Sequence, residues 1–203
     1  MERVIAYVDG FNLYFGLRDK GWKWFYWLNV QAMIQRLLKP QQALVRTKYF
    51  TAVVNYPEDK RRRQTDFLDA LQTLPDFHIY YGHYLSNIVK CRQCGHTYTA
   101  YHEKRTDVNI AVELLCDAFH DEFDTALLVT ADSDLSSPIE SVRSLFSSKR
   151  VVVAFPPARS SAELRRVAHG VTNVGRNVLA QSVLPDQVVR ADGVILQRPP
   201  RWR

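Results

Sequence analysis

Cysteine is scarce in this chain: Cys91, Cys94 and Cys116 are the only three in 203 residues. An odd, low count excludes a disulfide framework as the support of the fold. Long apolar runs are missing as well, and none approaches the length that spans a bilayer. Met1-Glu2-Arg3 and the short apolar run behind it lack the shape of a signal peptide, so a cytoplasmic protein with no membrane partner is expected. There is no internal repeat, no low-complexity tract and no linker that would split off a second domain. At 46% hydrophobic and 12% aromatic, the chain carries enough apolar side chain for one substantial core.

Several phosphate-handling motifs are also absent. No Gly-x-x-x-x-Gly-Lys loop occurs, no Gly-x-Gly-x-x-Gly follows the first apolar run, and no Gly-x-Ser-x-Gly elbow is present. What the chain does have is a net charge of +6 and a pI near 9.3, which favour a polyanionic partner such as nucleic acid.

Apolar runs and amphipathic stretches alternate. Val4-Ile5-Ala6-Tyr7-Val8 reads as a buried strand ending on Asp9-Gly10, where glycine permits a sharp turn. Helices are expected over 11–20, from a cap at Asn29 to 38, and from Pro57 to about 74, with further strands over 46–54 and 77–81. Residues 91–101 read as an irregular insertion, 106–119 as a strongly apolar helix and 125–130 as a fourth strand. Ser137-Pro138-Ile139-Glu140 carries the signals of a helix start, with Ile139, Val142, Leu145 and Phe146 as its buried face. A strand over 150–155 and a helix over 162–168 follow, and the remainder reads as irregular. This alternation signals an α/β fold with a mainly parallel sheet, a class that binds ligands beyond the carboxyl ends of its strands.

Four acids fall at that edge. Asp9 ends the first strand, Asp132 and Asp134 follow the fourth, and Asp107 lies in the first turn of the apolar helix, on the stripe of Ala111 and Leu114. Carboxylates gathered at one sheet end repel one another and need cations to stay ionised together. Mg²⁺ or Mn²⁺, hard ions that take oxygen ligands, would meet that need and support phosphoryl chemistry. Asp9 has no second acid two residues on, which argues against an aspartyl-phosphate phosphatase. Singly, each acid could instead be a helix cap, a turn residue or a complement to a helix dipole.

Two further stretches bear on nucleic acid. Gly21-Trp22-Lys23-Trp24-Phe25-Tyr26-Trp27 either stacks bases or packs a flap onto the core. Lys60-Arg61-Arg62-Arg63 sits in the first turns of a helix, opposing its dipole; it is either a solvated face or a phosphate grip. Cys91-Arg92-Gln93-Cys94-Gly95-His96 has the form of a zinc knuckle lacking its second half. His96, His102, His83 and Cys116 are candidates to complete it, although Cys116 is expected in the core. A metal-free loop or a zinc shared between chains are the other readings, and homo-oligomers stay open.

Tyr7-Val8-Asp9-Gly10-Phe11-Asn12, Lys104-Arg105-Thr106-Asp107-Val108-Asn109-Ile110-Ala111 and Val129-Thr130-Ala131-Asp132-Ser133-Asp134 occur in that order. Together with residues 151–164 they resemble the NYN domain, the PIN-like nuclease domain of the bacterial LabA/DUF88 group. The resemblance implies a PIN-like Rossmannoid three-layer fold over 1–180, with the cysteine insertion near 88–102 and a C-terminal extension over 181–203. It also implies metal-dependent RNA cleavage, with Asp9, Asp107, Asp132 and Asp134 as the acidic metal set and Asn12 as the polar residue of the first motif. The expected function is therefore an Mg²⁺- or Mn²⁺-dependent endoribonuclease acting on single-stranded or loop RNA. Asn12 and Ser133 would orient water or phosphate, and Lys104, Arg105 and Lys60 to Arg63 would hold the backbone. The alternatives are a non-catalytic RNA-binding or regulatory module using the same acidic pocket and basic rim, and a phosphatase or nucleotidase with a closed pocket.

Overall fold

The computed structural model describes every residue except Asn55, Cys91, Arg92 and Arg203, and only the backbone of 83–90 and 98–104. Strand β1 (Glu2–Asp9) lies at the centre, and Val4 to Val8 are all buried because both neighbours and both faces are covered. It leads into α1 (Gly10–Asp19), followed by α2 (Val30–Gln35), β2 (Gln42–Thr51), α3 (Glu58–Gln72) and β3 (Phe77–Tyr81). Next come β4 (His83–Lys90), β5 (Thr97–Lys104), α4 (Thr106–Phe119), β6 (Thr125–Val129), α5 (Ser136–Leu145) and β7 (Arg150–Phe155). The chain closes with α6 (Ala162–Val167), β8 (Gly170–Asn173), α7 (Arg176–Ala180), β9 (Gln187–Val189) and β10 (Ile195–Gln197).

Six strands form one sheet in the order β3-β2-β1-β6-β7-β8, and every pairing in it is parallel. Alternation along β1 divides the core into two layers. Val4, Ala6 and Val8 pack with Leu13, Met33 and Leu71 of α1 to α3, while Ile5 and Tyr7 pack with Ile110, Leu114 and Ile139 of α4 and α5. The result is a three-layer α/β fold with helices on both faces, the architecture expected of a PIN-like Rossmannoid domain. Among the described residues, no helix is long and apolar enough to cross a membrane.

Several local expectations need correction. The insertion before α4 is an antiparallel hairpin, β4 with β5, with Cys94 exposed at its tip. The segment after α6 is not irregular, since β8 completes the sheet against β7. Helix α2 is capped by Asn29, whose Oδ1 accepts from the Ala32 N–H at 2.8 Å, but it ends at Gln35 rather than 38. Strand β2 ends at Thr51 rather than 54. Ser137 caps nothing, because the chain is already turning in a 3₁₀ segment, Ser133–Leu135, that runs straight into α5. Pro138 is tolerated there because the first turn of a helix has no use for its missing N–H. Leu145, placed on the buried face of α5 by spacing, is 70% exposed. Cys116 is exposed on α4 rather than in the core.

The aromatic stretch is mostly a flap. Trp27 is fully buried, donates from Nε1 to the Pro185 carbonyl at 2.8 Å, and packs with Leu184, Val188 and Leu196 of the C-terminal segment. Trp202 closes over it, with ring contacts to Tyr26, Trp27 and Phe67.

Candidate functional site

The strand order reverses between β1 and β6, which leave the centre of the sheet in opposite directions. Such a switch point opens a crevice beyond the carboxyl ends of the two strands. Asp9 ends β1 and Asp132 follows β6, so these two acids flank it.

Asp9 shares the parity of Ile5 and Tyr7, so its side chain turns toward the α4 layer. It is 5% exposed. Its Oδ1 accepts from the Asn12 N–H at 2.9 Å, capping α1, and its Oδ2 accepts from the Thr130 hydroxyl at 3.2 Å. The Thr130 oxygen accepts in turn from the Asp132 N–H at 3.1 Å, and Asn12 Oδ1 accepts from the Ala131 N–H at 3.1 Å. Two hydrogen bonds thus stitch the loop after β1 to the loop after β6, and one more braces each loop within itself.

Burial, followed by the charges of Asp107 and Asp132, pushes the Asp9 carboxyl up to about 7, even though the Asn12 and Thr130 hydrogen bonds pull the other way. Asp9 therefore lies in the field of both Asp107 and Asp132. Asp107 and Asp132 are half-buried, and Asp132 caps the 3₁₀ turn through Oδ1, which accepts from the Asp134 N–H at 3.0 Å. Asp134 and Ser133 are exposed on that turn.

The donor set is all hard oxygen, the kind Mg²⁺ and Mn²⁺ prefer. Among the described residues, however, no three His, Cys, Asp or Glu side chains are grouped so as to hold one ion. Mg²⁺ is commonly bound through only one or two carboxylates, with waters filling the rest of its shell. The carboxylates at the switch point fit such a water-rich ion and do not form a ready-made cage.

Gly10 has a different role from the turn expected of it. A Cβ there would lie 2.6 Å from Cζ and Oη of Tyr49, so glycine is needed for close approach of that ring. Burial, with Asp9 nearby, pushes the Tyr49 hydroxyl well up. Of the basic residues, Lys60 and Arg63 line a cavity that Gly10 also lines; Arg61 and Arg62 are exposed on the same helix. Arg63 bonds Asp59 at 2.7 Å. Arg105 is exposed in a left-handed conformation at φ 80° ahead of α4, and the Lys104 side chain lies outside the described residues. Cys91 of the knuckle lies outside them too.

Sequence reasoning missed Thr130, though a threonine at the end of an apolar strand and two residues before an acid was a usable signal. It also missed a buried charge cluster in the α4 layer. Lys48 Nζ lies 2.6 Å from both Glu113 and Asp117, and Asp117 also accepts from the Tyr7 hydroxyl at 2.5 Å. Burial alone would lower the Lys48 ammonium, but its two carboxylate partners hold it above its ordinary value.

The profile of the NYN domain family matches residues 3–175, a span that contains all four acids. This chain belongs to the NYN domain family. NYN domains are generally ribonuclease-like hydrolases. One curated relative, 6-hydroxy-3-succinoylpyridine 3-monooxygenase HspA of Pseudomonas putida, is 25% identical over 206 residues, covering 82% of this NYN chain. The chain spans 65% of that relative's length. A solved structure of a protein of unknown function from Vibrio parahaemolyticus superposes with a TM-score of 0.60 at 19% identity, covering 87% of this chain and 94% of that one. That likeness concerns the fold alone.

Proposed function

We propose that this NYN protein is a metal-dependent endoribonuclease that hydrolyses single-stranded or loop RNA in the cytoplasm. The observation that carries the reading is Asp9: a buried carboxyl at the switch point, raised to about 7 by burial and by the charges of Asp107 and Asp132. Keeping that group ionised costs free energy that a bound cation would offset. Of Asp9, Asp107 and Asp132, one or two would hold Mg²⁺ or Mn²⁺ directly and the rest through its waters, with Asp134 at the exposed rim. The ion would supply an activated water and positive charge for the leaving oxygen. Asn12 commits its carbonyl oxygen to Ala131, which leaves its amide NH₂ to orient a water or a phosphate oxygen. Ser133, exposed on the turn after β6, would serve the same purpose. Lys60, Arg61, Arg62 and Arg63, with Lys104 and Arg105, would hold backbone phosphates.

The test is cleavage of end-labelled single-stranded RNA with Mg²⁺ or Mn²⁺, with EDTA, and with Asp9→Asn and Asp132→Asn. Cleavage should require the metal and be lost in both variants. Cleavage that survives EDTA, or full activity in Asp132→Asn, would sink the mechanism. A second reading, an RNA-binding or regulatory module that does not cut, draws on the lack of any three-ligand metal group among the described residues. It predicts RNA binding that persists in Asp9→Asn and no cleavage by the wild type.

A further inference from the structure

The acidic crevice opens toward the α4 layer, while a separate cavity of about 170 Å³ lies on the other face of the sheet, between α1 and α3. Gly10 forms part of its wall, so the cavity begins one residue from Asp9. Protein interiors ordinarily fill space of this kind with side chains. Here its floor is apolar and its sides are aromatic. Phe11, Tyr14 and Trp202 line it and are half-buried, with the Phe11 ring stacked on Phe15. Lys60 and Arg63 stand among the lining residues. Lys60 Nζ lies 6.0 Å from the centre of the Tyr14 ring, which puts a cation beside an aromatic wall. Arg63 spends one guanidinium donor on Asp59, and the group has five.

We infer that this cavity is a pocket for one unpaired nucleotide, its base against Phe11, Tyr14 and Trp202 and its phosphate on Lys60 and Arg63. Size limits the occupant, since pockets for drug-sized ligands start at about 300 Å³. A volume of about 170 Å³ admits a single ring system. Aromatic walls select a flat π-face without regard to sequence, and the paired cations select an attached anion. The shared wall at Gly10 sets the nucleotide's neighbouring phosphate next to the carboxylate edge, so the pocket, which rests on the ribonuclease reading, would choose where the chain is cut. It also gives the placement of Lys60 and Arg63 near the start of α3, against the helix dipole, a reason in function.

The test uses the full chain in EDTA with a fluorescent, 2′-O-methylated single-stranded oligoribonucleotide, followed by anisotropy. Tyr14→Ala should weaken binding about 5- to 150-fold, the range for losing one base–aromatic stack. Lys60→Ala, an exposed position, should weaken binding and reduce the salt slope by about 0.7. Competition by free nucleoside monophosphate would show that a lone nucleotide suffices; weakening by Tyr14→Ala without such competition would show that the pocket takes a chain-linked one. Wild-type affinity and salt slope in both variants would overturn the inference. If Tyr14→Ala does not fold by circular dichroism, Tyr14→Leu, which keeps apolar bulk without the ring, takes its place in the same comparison. Binding is scored without cleavage, so Tyr14-dependent binding by a chain that never cuts would keep the pocket and sink the reaction. Cleavage with Tyr14-independent binding would do the reverse.

Discussion

Replacing Asp9 by Asn should make the protein more stable while abolishing cleavage. An acid raised from 3.8 to about 7 binds its proton more tightly in the folded chain, so its contribution to stability falls as pH rises through that window. At about pH 8 the gap corresponds to a cost of ~4 kcal/mol, at about pH 5 to ~2 kcal/mol, and below about pH 4 it vanishes. Asn keeps an oxygen for the Asn12 N–H but offers no second acceptor to the Thr130 hydroxyl, which returns ~1 kcal/mol. The net gain is then ~3 kcal/mol at about pH 8 and ~1 kcal/mol at about pH 5. For a chain of this size that is a rise in Tm of about 6–12 °C at the higher pH. Thermal melts of both proteins in EDTA, at both pH values, measure it. A lower Tm for Asp9→Asn at the higher pH, or an equal gain at both, would refute the reasoning. Divalent cation should raise the Tm of the wild type and leave Asp9→Asn nearly unchanged, because the variant no longer carries the charge that the ion relieves.

Gly10→Ala puts a methyl group 2.6 Å from the buried Tyr49 ring and should cost about 1–3 kcal/mol in a urea titration; an unchanged midpoint would mean that Tyr49 yields freely. Lys48→Met strands Asp117 and Glu113 in the α4 layer, so unfolding free energy should fall by about 3–5 kcal/mol. A loss under about 1 kcal/mol would show that water reaches those carboxylates.

Much of the fold was legible along the chain. The bounds of β3, α4 and β7 follow from apolar spacing, because each presents one face or two to a core whatever its neighbours are. The 83–104 hairpin was not legible, since Tyr84-Leu85 and Ile88-Val89 fall in adjacent pairs and give no period-two alternation along the sequence. Strand β8 was hidden for a related reason: Gly170-Val171-Thr172-Asn173 is a short edge strand with little apolar content, held by pairing to β7. Leu145 shows the limit of periodicity, which finds an apolar position without showing whether anything packs against it.

Asp9, Asp107, Asp132 and Asp134 could be found as acids at the carboxyl edge of an α/β sheet, because strand ends and helix starts are local signals. Their relation to one another was not local. Putting β6 beside β1 sets Asp9 across a crevice from Asp132 and brings the Thr130 hydroxyl to the Asp9 carboxylate. The same packing holds the Tyr49 ring under Gly10 and closes Trp202 over the aromatic flap. The amino-acid sequence by itself determined the alternation of elements, the parallel sheet and the acids at its edge. Only the tertiary structure decided which of those acids share a field, how strongly Asp9 resists ionising and that an aromatic cavity begins beside it, because burial and charge coupling depend on distances between residues far apart in the chain.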